Sequence, residues 1–264
     1  MNSHFAFCIA DREPAYTPET HYHPNYEVYY LTDGRCRYFI HDKTYSLTAG
    51  DIVVISPGLI HKVIYETTIH SRLLFYCTED YIPKSVMPVL DRIAYFSQTP
   101  DTARQTTSIY AKLREAVIHP DAFSQDTIRC CAMQLFLLMA KASLQTNPLA
   151  TTSPFVEQAV AFIRTNYMER FTLTDVAKHC AVSPEHLSRV FKKETGFGFN
   201  EYLNLYRLRK AETLLKSGQV QSISQVALLC GFNDSNYFSA AYRKMFGISP
   251  SQVKKISQKE SGYV

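Results

Sequence analysis

Hydrophobic and polar positions change their period along this 264-residue chain, and the changes mark regions of different structure. From residue 1 to about 80, β-branched and aromatic residues form short runs separated by turn residues such as Thr32-Asp33-Gly34. The clearest runs are residues 26–31, 35–40, 44–47, 52–55, 62–65 and 71–76. Many short strands at such intervals favour a β-barrel or jelly roll over residues 1–80.

Between residues 81 and 145, apolar residues recur every three to four positions, which is the period of an α-helix. The segment from Ile128 to Met139 is apolar around much of its circumference. Such a helix is expected to be buried against the barrel or against a second copy of the chain. The sequence therefore predicts a helical segment for dimerisation or signal relay. Residues 146–154 are polar, contain two prolines and indicate a linker.

A second helical block covers residues 155–258 and contains an internal repeat. LTDVA at 173–177 aligns with ISQVA at 223–227, an offset of 50, and Phe191 aligns with Tyr242, an offset of 51. Each copy predicts a short helix, a tight turn and a longer helix, over about 172–196 and 222–247. A long helix over 200–216 joins the two helix-turn-helix units. The expected fold class is α+β with two domains, a barrel followed by helices and then an all-α domain.

The stretch from Ser183 to Gly196 has the two faces of a DNA recognition helix. Ser183 followed by Pro184 is a helix-start signal, and Leu187 and Phe191 share one apolar face. The opposite face carries side chains that can contact base edges and phosphates. These side chains are Glu185, His186, Ser188, Arg189, Lys192 and Lys193.

Charge is distributed unevenly along the chain. Residues 154–264 hold fifteen Lys or Arg and nine Asp or Glu, whereas residues 1–153 hold thirteen and fifteen. The basic excess lies with the predicted recognition helices, as expected of a protein that binds double-stranded DNA. The seven cysteines are scattered, which argues against a disulfide framework and for reduced thiols in the cytoplasm. Neither a signal peptide nor a membrane-spanning run is predicted.

The N-terminal region contains a motif with metal-ligand chemistry, in which His21, His23 and Glu27 lie at alternating positions. Alternate residues of a strand point to one face, and His61 arrives from another predicted strand. These four side chains are candidate ligands of a divalent transition metal. Without a metal, they are candidate hydrogen-bonding partners of a polar small molecule such as a sugar, with Tyr29 and Tyr38 as stacking surfaces. Tyr22 and Tyr65 are further stacking candidates.

The C-terminal block resembles the DNA-binding domain of the AraC/XylS family of bacterial transcription regulators. The likeness runs over most of residues 155–256 and is strongest in LTDVAKHCAVSPEHLSRVFKKETG, RLRKAETLL and ISQVALLCGFNDSNYFSAAYRKMFGISP. The N-terminal region is similar to the cupin-type sensory domain of many members, through the pattern HxHxxxE and the segment from Gly50 to His61. The resemblance implies a cupin-like sensor and two recognition helices that enter successive major-groove segments.

The resemblance also implies roles for individual residues. Glu185, Ser188 and Arg189 match outward positions that contact bases, and Arg189 suits guanine. Lys192 and Lys193 are expected to contact phosphates. Further candidate DNA contacts are Ser183, His186, Asn233, Ser235, Asn236, Ser239 and Arg243. Ala240 departs from the pattern, because many members carry a basic residue there, so the second unit is expected to contact fewer bases.

The expected function is sequence-specific regulation of transcription, with activation in response to a small-molecule effector in the cupin. The chain is not expected to be an enzyme or to require a cofactor. Expected partners are promoter DNA, the effector, a second copy of the chain and RNA polymerase. The expected location is the bacterial cytoplasm, on the nucleoid when DNA is bound. The alternative hypothesis is a metal-binding cupin enzyme fused to a DNA-binding domain.

Overall fold

The computed structural model describes residues 5–15, 25–40, 42–90, 95–96, 100–143, 151–218, 220 and 222–261. The chain forms two compact units that divide between Thr151 and Thr152, inside the segment 146–154 that the sequence indicates as a linker. The first unit is β-rich and the second is helical, so the predicted fold class is confirmed. In the described ranges, no helix is both long and apolar enough to cross a lipid bilayer.

The described residues of the first unit form two antiparallel sheets. Its strands are β1 (Phe5–Pro14), β2 (Tyr26–Asp33), β3 (Arg35–Ile40), β4 (Lys43–Thr48), β5 (Ile52–Ile55), β6 (His61–Tyr65), β7 (Ile69–Cys77) and β8 (Tyr95–Phe96). The order β1-β7-β2-β5-β8 forms one sheet and the order β4-β3-β6 forms the other. Side chains from both sheets share one buried core, so the two sheets form a β-sandwich, as a jelly roll does.

Strand β2 is buried on both faces, because its two sets of alternating residues enter different cores. Tyr29 and Leu31 point between the two sheets. Val28 and Tyr30 point to the outer face of the five-stranded sheet. This alternation places Glu27 on the same side as Tyr29, inside the sandwich.

Helices cover that outer face. They are α1 (Met87–Leu90), α2 (Pro100–Ile118) and α3 (Ser124–Ser143), preceded by a 3₁₀ turn over Glu79–Tyr81. Tyr110 of α2 stacks on Tyr30 with ring centroids 4.9 Å apart, and Phe136 of α3 meets Phe75 edge to face at 6.2 Å. The apolar circumference of α3 is therefore explained by its packing against α2 and the sheet.

The described residues of the second unit form the helices α4 (Pro154–Asn166), α5 (Leu173–His179), α6 (Pro184–Thr195), α7 (Phe199–Lys216), α8 (Ile223–Leu229), α9 (Ser235–Phe246) and α10 (Pro250–Ser261). Local chemistry sets their beginnings. Thr172 and Asp175 form a capping box at α5, and Ser222 Oγ accepts from the Gln225 N–H at α8. The turn of each helix-turn-helix unit contains a residue with left-handed backbone. It is Ala181 in the first helix-turn-helix unit and Gly231 in the second.

Helix α7 does more than separate the two helix-turn-helix units. Helix α7 packs on α8 and α9 of the second helix-turn-helix unit, just as α4 packs on α5 and α6 of the first. Helix α7 also packs on α6, just as α10 packs on α9. Its start matches that of α10: the Gly198 N–H donates to Glu201 Oε2 (3.0 Å), and the Ser249 N–H donates to Gln252 Oε1 (3.0 Å). The repeat therefore includes the flanking helices, and α7 belongs to both copies.

Candidate functional site

The first recognition helix, α6, begins and ends as its sequence predicts. Ser183 Oγ accepts from the His186 N–H at 3.2 Å, and Pro184 occupies the first helical position. Gly196 ends the helix with φ +78°, and its N–H donates to the Lys192 carbonyl oxygen. These caps fix the extent of the helix and therefore which side chains it can present.

Packing fixes the rotation of α6. Leu187 and Phe191 are fully buried, and Phe191 packs edge to face on Phe199 and Tyr202. The predicted DNA contacts on the opposite face are all exposed: Glu185, His186, Ser188, Arg189, Lys192 and Lys193. The face carries three basic side chains and one acidic side chain, which suits the phosphate backbone of DNA.

Two exposed side chains of α6 are in contact with each other. Arg189 Nη2 lies 3.2 Å from His186 Nδ1, one turn apart on the helix. The His186 ring also packs on Phe155 of α4, with ring centroids 5.2 Å apart. Helix α4 therefore reaches the outward face of α6, a contact that the spacing of residues in α6 does not indicate.

The second recognition helix, α9, has a stronger cap. Asp234 Oδ1 accepts from the N–H groups of Asn236 (2.7 Å) and Tyr237 (3.1 Å). The helix buries Phe238 and Tyr242 and ends at Gly247 with φ +71°. A carboxylate that accepts two bonds at a helix N-terminus also interacts favourably with the helix dipole.

The predicted DNA contacts of α9 have different surroundings. Asn236 and Arg243 are exposed, whereas Ser235 and Ser239 are half-buried. The Ser239 hydroxyl donates to the Ser235 carbonyl oxygen at 2.8 Å. Asn233 precedes the helix, and its Oδ1 accepts from Arg170 Nε at 3.0 Å. The side chains of Ser239 and Asn233 therefore form intramolecular hydrogen bonds, which a contact with DNA would share or replace.

Tyr237 is an exposed aromatic residue of α9 that the predicted set leaves out. Its side chain is 54% exposed, and its hydroxyl lies 3.3 Å from Asn204 Nδ2 of α7. The internal repeat offers the signal that identifies it, because the offset of 51 pairs Tyr237 with His186. Each recognition helix thus presents a ring at the same position, held by the helix before its unit.

In the first unit, a buried polar cluster lies between the two sheets. Tyr38 Oη donates to Glu27 Oε1 at 2.8 Å, and His61 Nε2 lies 3.6 Å from Glu27 Oε2. His61 Nδ1 lies 2.9 Å from the Leu59 carbonyl oxygen. Tyr29 meets Tyr38 edge to face at 5.1 Å. The structure therefore brings together four of the six predicted effector residues, and His21 and His23 lie outside the described residues.

Burial and charge give this cluster its chemistry. Glu27 is only 2% exposed. Burial, together with the neighbouring Glu27 carboxylate, raises the pKa of Tyr38 well above its usual range. Burial and Glu27 also raise the pKa of Tyr76, which hydrogen-bonds to the same carboxylate. Tyr76 is another residue that the predicted set leaves out, and β7 brings it beside Glu27 through antiparallel pairing with β2.

The predicted metal ligands are only partly described. Glu27 and His61 are neighbours, but a divalent transition metal generally needs three or more protein ligands. Among the residues that the structure describes, no three His, Cys, Asp or Glu side chains are placed to hold a metal ion. The metal centre therefore remains a prediction. The seven cysteines all lie in described ranges and carry free thiols.

Two family models match the chain. Residues 5–80 match the AraC-like ligand binding domain, and residues 176–256 match a helix-turn-helix domain. Relatives match nearly the whole chain. The HTH-type transcriptional activator RhaR of Mannheimia succiniciproducens is 24% identical over 271 residues, which cover 96% of this chain and 95% of the relative.

The chain belongs to the AraC/XylS family of transcription regulators. It is also similar to the HTH-type transcriptional activator RhaS of Escherichia coli O81 (strain ED1a), with 26% identity covering 94% of this chain and 91% of the relative. The HTH-type transcriptional regulator YfiF of Bacillus subtilis (strain 168) is 27% identical, with 91% and 80% covered. The family resemblance predicted from the sequence is confirmed, and with it DNA binding by a helix-turn-helix regulator.

Proposed function

We propose that this AraC/XylS family member activates transcription from specific promoters in response to a polar, uncharged small molecule held between the two sheets of its first unit. The observation that carries the proposal is the buried Glu27–Tyr38–His61 cluster in a unit joined to two helix-turn-helix units. Activation is supported by the names of the relatives RhaR and RhaS. The site of action follows from the function, since promoter DNA lies in the bacterial cytoplasm.

The chemistry of the cluster favours a ligand that donates hydrogen bonds. Glu27 is a buried carboxylate that already accepts from Tyr38, and each carboxylate oxygen can accept more than one hydrogen bond. Hydroxyl groups of a neutral sugar can supply donors, and Tyr29 and Tyr38 place aromatic rings beside the carboxylate. An anionic sugar acid would be repelled by the same carboxylate, so the cluster favours neutral sugars over sugar acids.

Thermal unfolding of the full chain in the presence of matched neutral sugars and sugar acids tests this proposal. A ligand present at 100 times its Kd stabilises the folded unit by about 2.7 kcal/mol, which raises its melting temperature measurably. We expect a neutral sugar to do so, and Glu27→Gln to weaken the effect. Stabilisation by a sugar acid that equals or exceeds that of its neutral counterpart would contradict the proposed ligand class.

We propose that promoter recognition uses both recognition helices on one duplex. Helix α6 supplies the greater share of base contacts, since Arg189 can form a bidentate pair with guanine, whereas α9 presents Asn236 and Arg243. A selection of duplexes from a random library by the full chain tests this point. We expect two conserved segments one helical turn apart, about 34 Å, with stronger base preference in one segment. Uniform recovery of all sequences would refute specific recognition.

We propose that a second copy of the chain pairs through α2 and α3. Leu137 on α3 is 40% exposed although the opposite side of the helix is fully buried against the sheet. An exposed leucine in a largely apolar helix suits a helix–helix contact. Sedimentation of the Leu137→Glu variant tests this pairing, with Gln125→Glu as a control near the start of the same helix. A Leu137→Glu protein that remains dimeric would remove α3 from the interface.

Contact with RNA polymerase is the remaining part of the proposal. An activator raises the rate of transcription of its own promoter, and it does so with purified polymerase when the contact is direct. Transcription in vitro from the selected duplex, with and without the stabilising sugar, measures this effect. A fall in transcript on adding the protein and sugar would indicate a repressor.

A further inference from the structure

Phe155, His186 and Arg189 form a line of contacts from α4 to the outward face of α6. The Phe155 ring packs on the His186 ring at 5.2 Å with the planes inclined by 42°. His186 Nδ1 accepts a hydrogen bond from Arg189 Nη2 at 3.2 Å. The last residue in the line is the side chain of α6 that best suits a guanine contact.

The start of α4 is itself tied to α6. The Ser153 N–H donates to Glu194 Oε2 at 2.9 Å, and the Ser153 hydroxyl donates to Glu194 Oε1. Glu194 lies in the last turn of α6, whereas His186 lies in its first turn. The start of α4 therefore contacts both ends of the recognition helix, through Ser153 at the last turn and through Phe155 at the first turn.

An exposed arginine normally samples many rotamers, and ordering it on DNA costs conformational entropy. A bond to His186 removes part of that freedom before DNA binds. The imidazole is exposed and would move itself, except that the half-buried Phe155 ring supports it. These two contacts together favour one direction of the guanidinium.

We propose that Phe155 is a positioning residue for base preference, acting on Arg189 through His186. The inference rests on the proposed use of α6 to contact bases, and it adds a residue of α4 that acts through its contact with His186. The second helix-turn-helix unit has a related arrangement, in which Asn204 of α7 lies 3.3 Å from the Tyr237 hydroxyl of α9. Each helix that precedes a helix-turn-helix unit thus supports one ring on its recognition helix.

The test uses full-length protein and the duplex that wild-type protein selects from a random library. Binding is measured on that duplex and on the single base-pair variants at every position. Arg189→Ala identifies the base pair that Arg189 contacts. We expect Phe155→Ala to lower discrimination at that same base pair about 3- to 10-fold, with discrimination elsewhere unchanged. Phe155→Tyr keeps the ring and should keep the preference.

A double-mutant cycle separates positioning from general loss of structure. In the Arg189→Ala background, Phe155→Ala should cause no further loss of discrimination, because the side chain it positions is absent. Phe162→Ala is the matched control: Phe162 also lies on α4 and packs on a histidine ring, that of His179 on α5, at 4.9 Å. We expect it to leave the base preference unchanged.

The outcomes are distinct. Equal loss of affinity by Phe155→Ala on all duplexes, or the same loss of preference in Phe162→Ala, would overturn the positioning role while leaving specific binding intact. Absence of any sequence preference in wild-type protein would overturn the proposed function and this inference together. Phe155→Leu, which keeps an apolar side chain, replaces the alanine variant where melting shows that Phe155→Ala unfolds the second unit, and it is expected to lower discrimination likewise.

Discussion

The two recognition helices differ on their outward faces. Helix α6 carries Arg189 where α9 carries Ala240, although the buried residues of the two helices are equivalent. Leu187 and Phe238 are both fully buried, as are Phe191 and Tyr242. The scaffold is shared because a helix-turn-helix core tolerates only apolar groups of suitable volume. The outward faces differ because solvent imposes no such demand on them, so the two units present different surfaces to DNA on one architecture.

The turns of the two helix-turn-helix units differ as well. The largest predicted effect on stability comes from a substitution in the second of these turns. A Cβ added at Gly231 would collide with the Tyr167 carbonyl oxygen and lie 2.9 Å from Arg207 Nε, in a backbone with φ +78°. We expect Gly231→Ala to lower the free energy of unfolding of the second unit by about 2–4 kcal/mol, from overpacking and the left-handed backbone. Chemical denaturation of the full chain measures it.

Gly247 supplies the control for this prediction. It has φ +71°, but a Cβ added there meets no atom within 4 Å. Gly247→Ala should therefore cost only the conformational part, about 1–2 kcal/mol. Equal costs at the two glycines would show that the contact with Tyr167 and Arg207 is unimportant.

The second prediction exchanges the outward residues. We expect Arg189→Ala to weaken binding to the selected duplex by about 1–3 kcal/mol and to relax one base preference. Ala240→Arg should instead add about one unit to the dependence of log affinity on log salt, because it adds a cation to α9. Fluorescence anisotropy at several salt concentrations measures both. If Arg189→Ala weakens all duplexes equally, Arg189 is a phosphate contact.

The third prediction compares the caps of the recognition helices. Asp234 accepts two backbone N–H groups, whereas Ser183 accepts one at 3.2 Å. Asp234→Ala should destabilise the second unit by about 1–2 kcal/mol, and Ser183→Ala should cost about 0.5–1 kcal/mol. Thermal melts of both variants, with Asp234→Ser as a restoring control, decide the order. A larger loss for Ser183→Ala would contradict the geometry.

The fourth and smallest effect concerns Ala181, the counterpart of Gly231. Ala181 is exposed and has φ +55°, which is unfavourable for a residue with a Cβ. Ala181→Gly relieves that strain but gives the unfolded chain more freedom, so a net stabilisation of about 0.5 kcal/mol is expected. Replicate chemical denaturation measures the sign of the change in the free energy of unfolding. A clear destabilisation would mean that the Ala181 methyl group makes a favourable contact.

Much of the second unit could be predicted because its signals are local. Ser183-Pro184, the capping box of Thr172 and Asp175, and Gly196 specify helix ends through neighbours in the sequence. The internal repeat aligns Val176 and Ala177 with Val226 and Ala227, and the structure buries all four residues. The roles of single side chains at the DNA interface remain predictions.

The first unit was predictable in class but less so in detail. The runs at 26–31, 35–40 and 52–55 correspond to β2, β3 and β5, whereas β1 and the short β8 were not among the predicted runs. Strand β1 alternates half-buried and exposed residues, so it lacks the continuous apolar run of β5. Its partner strand β7 lies about 60 residues away in the sequence, so the local pattern of residues does not predict that the two strands pair.

The sequence by itself determined where the helices of the second unit begin and end, that they repeat, and which family the chain belongs to. The helix ends depend on hydrogen bonds and apolar periods within a few residues, and the repeat and the family follow from the order of such segments along the chain. Only the tertiary structure decided that Tyr76 joins Tyr38 and His61 around Glu27, that Phe155 supports His186, and that α7 serves both units. Those contacts join residues far apart in the chain, so close packing of whole elements decides them.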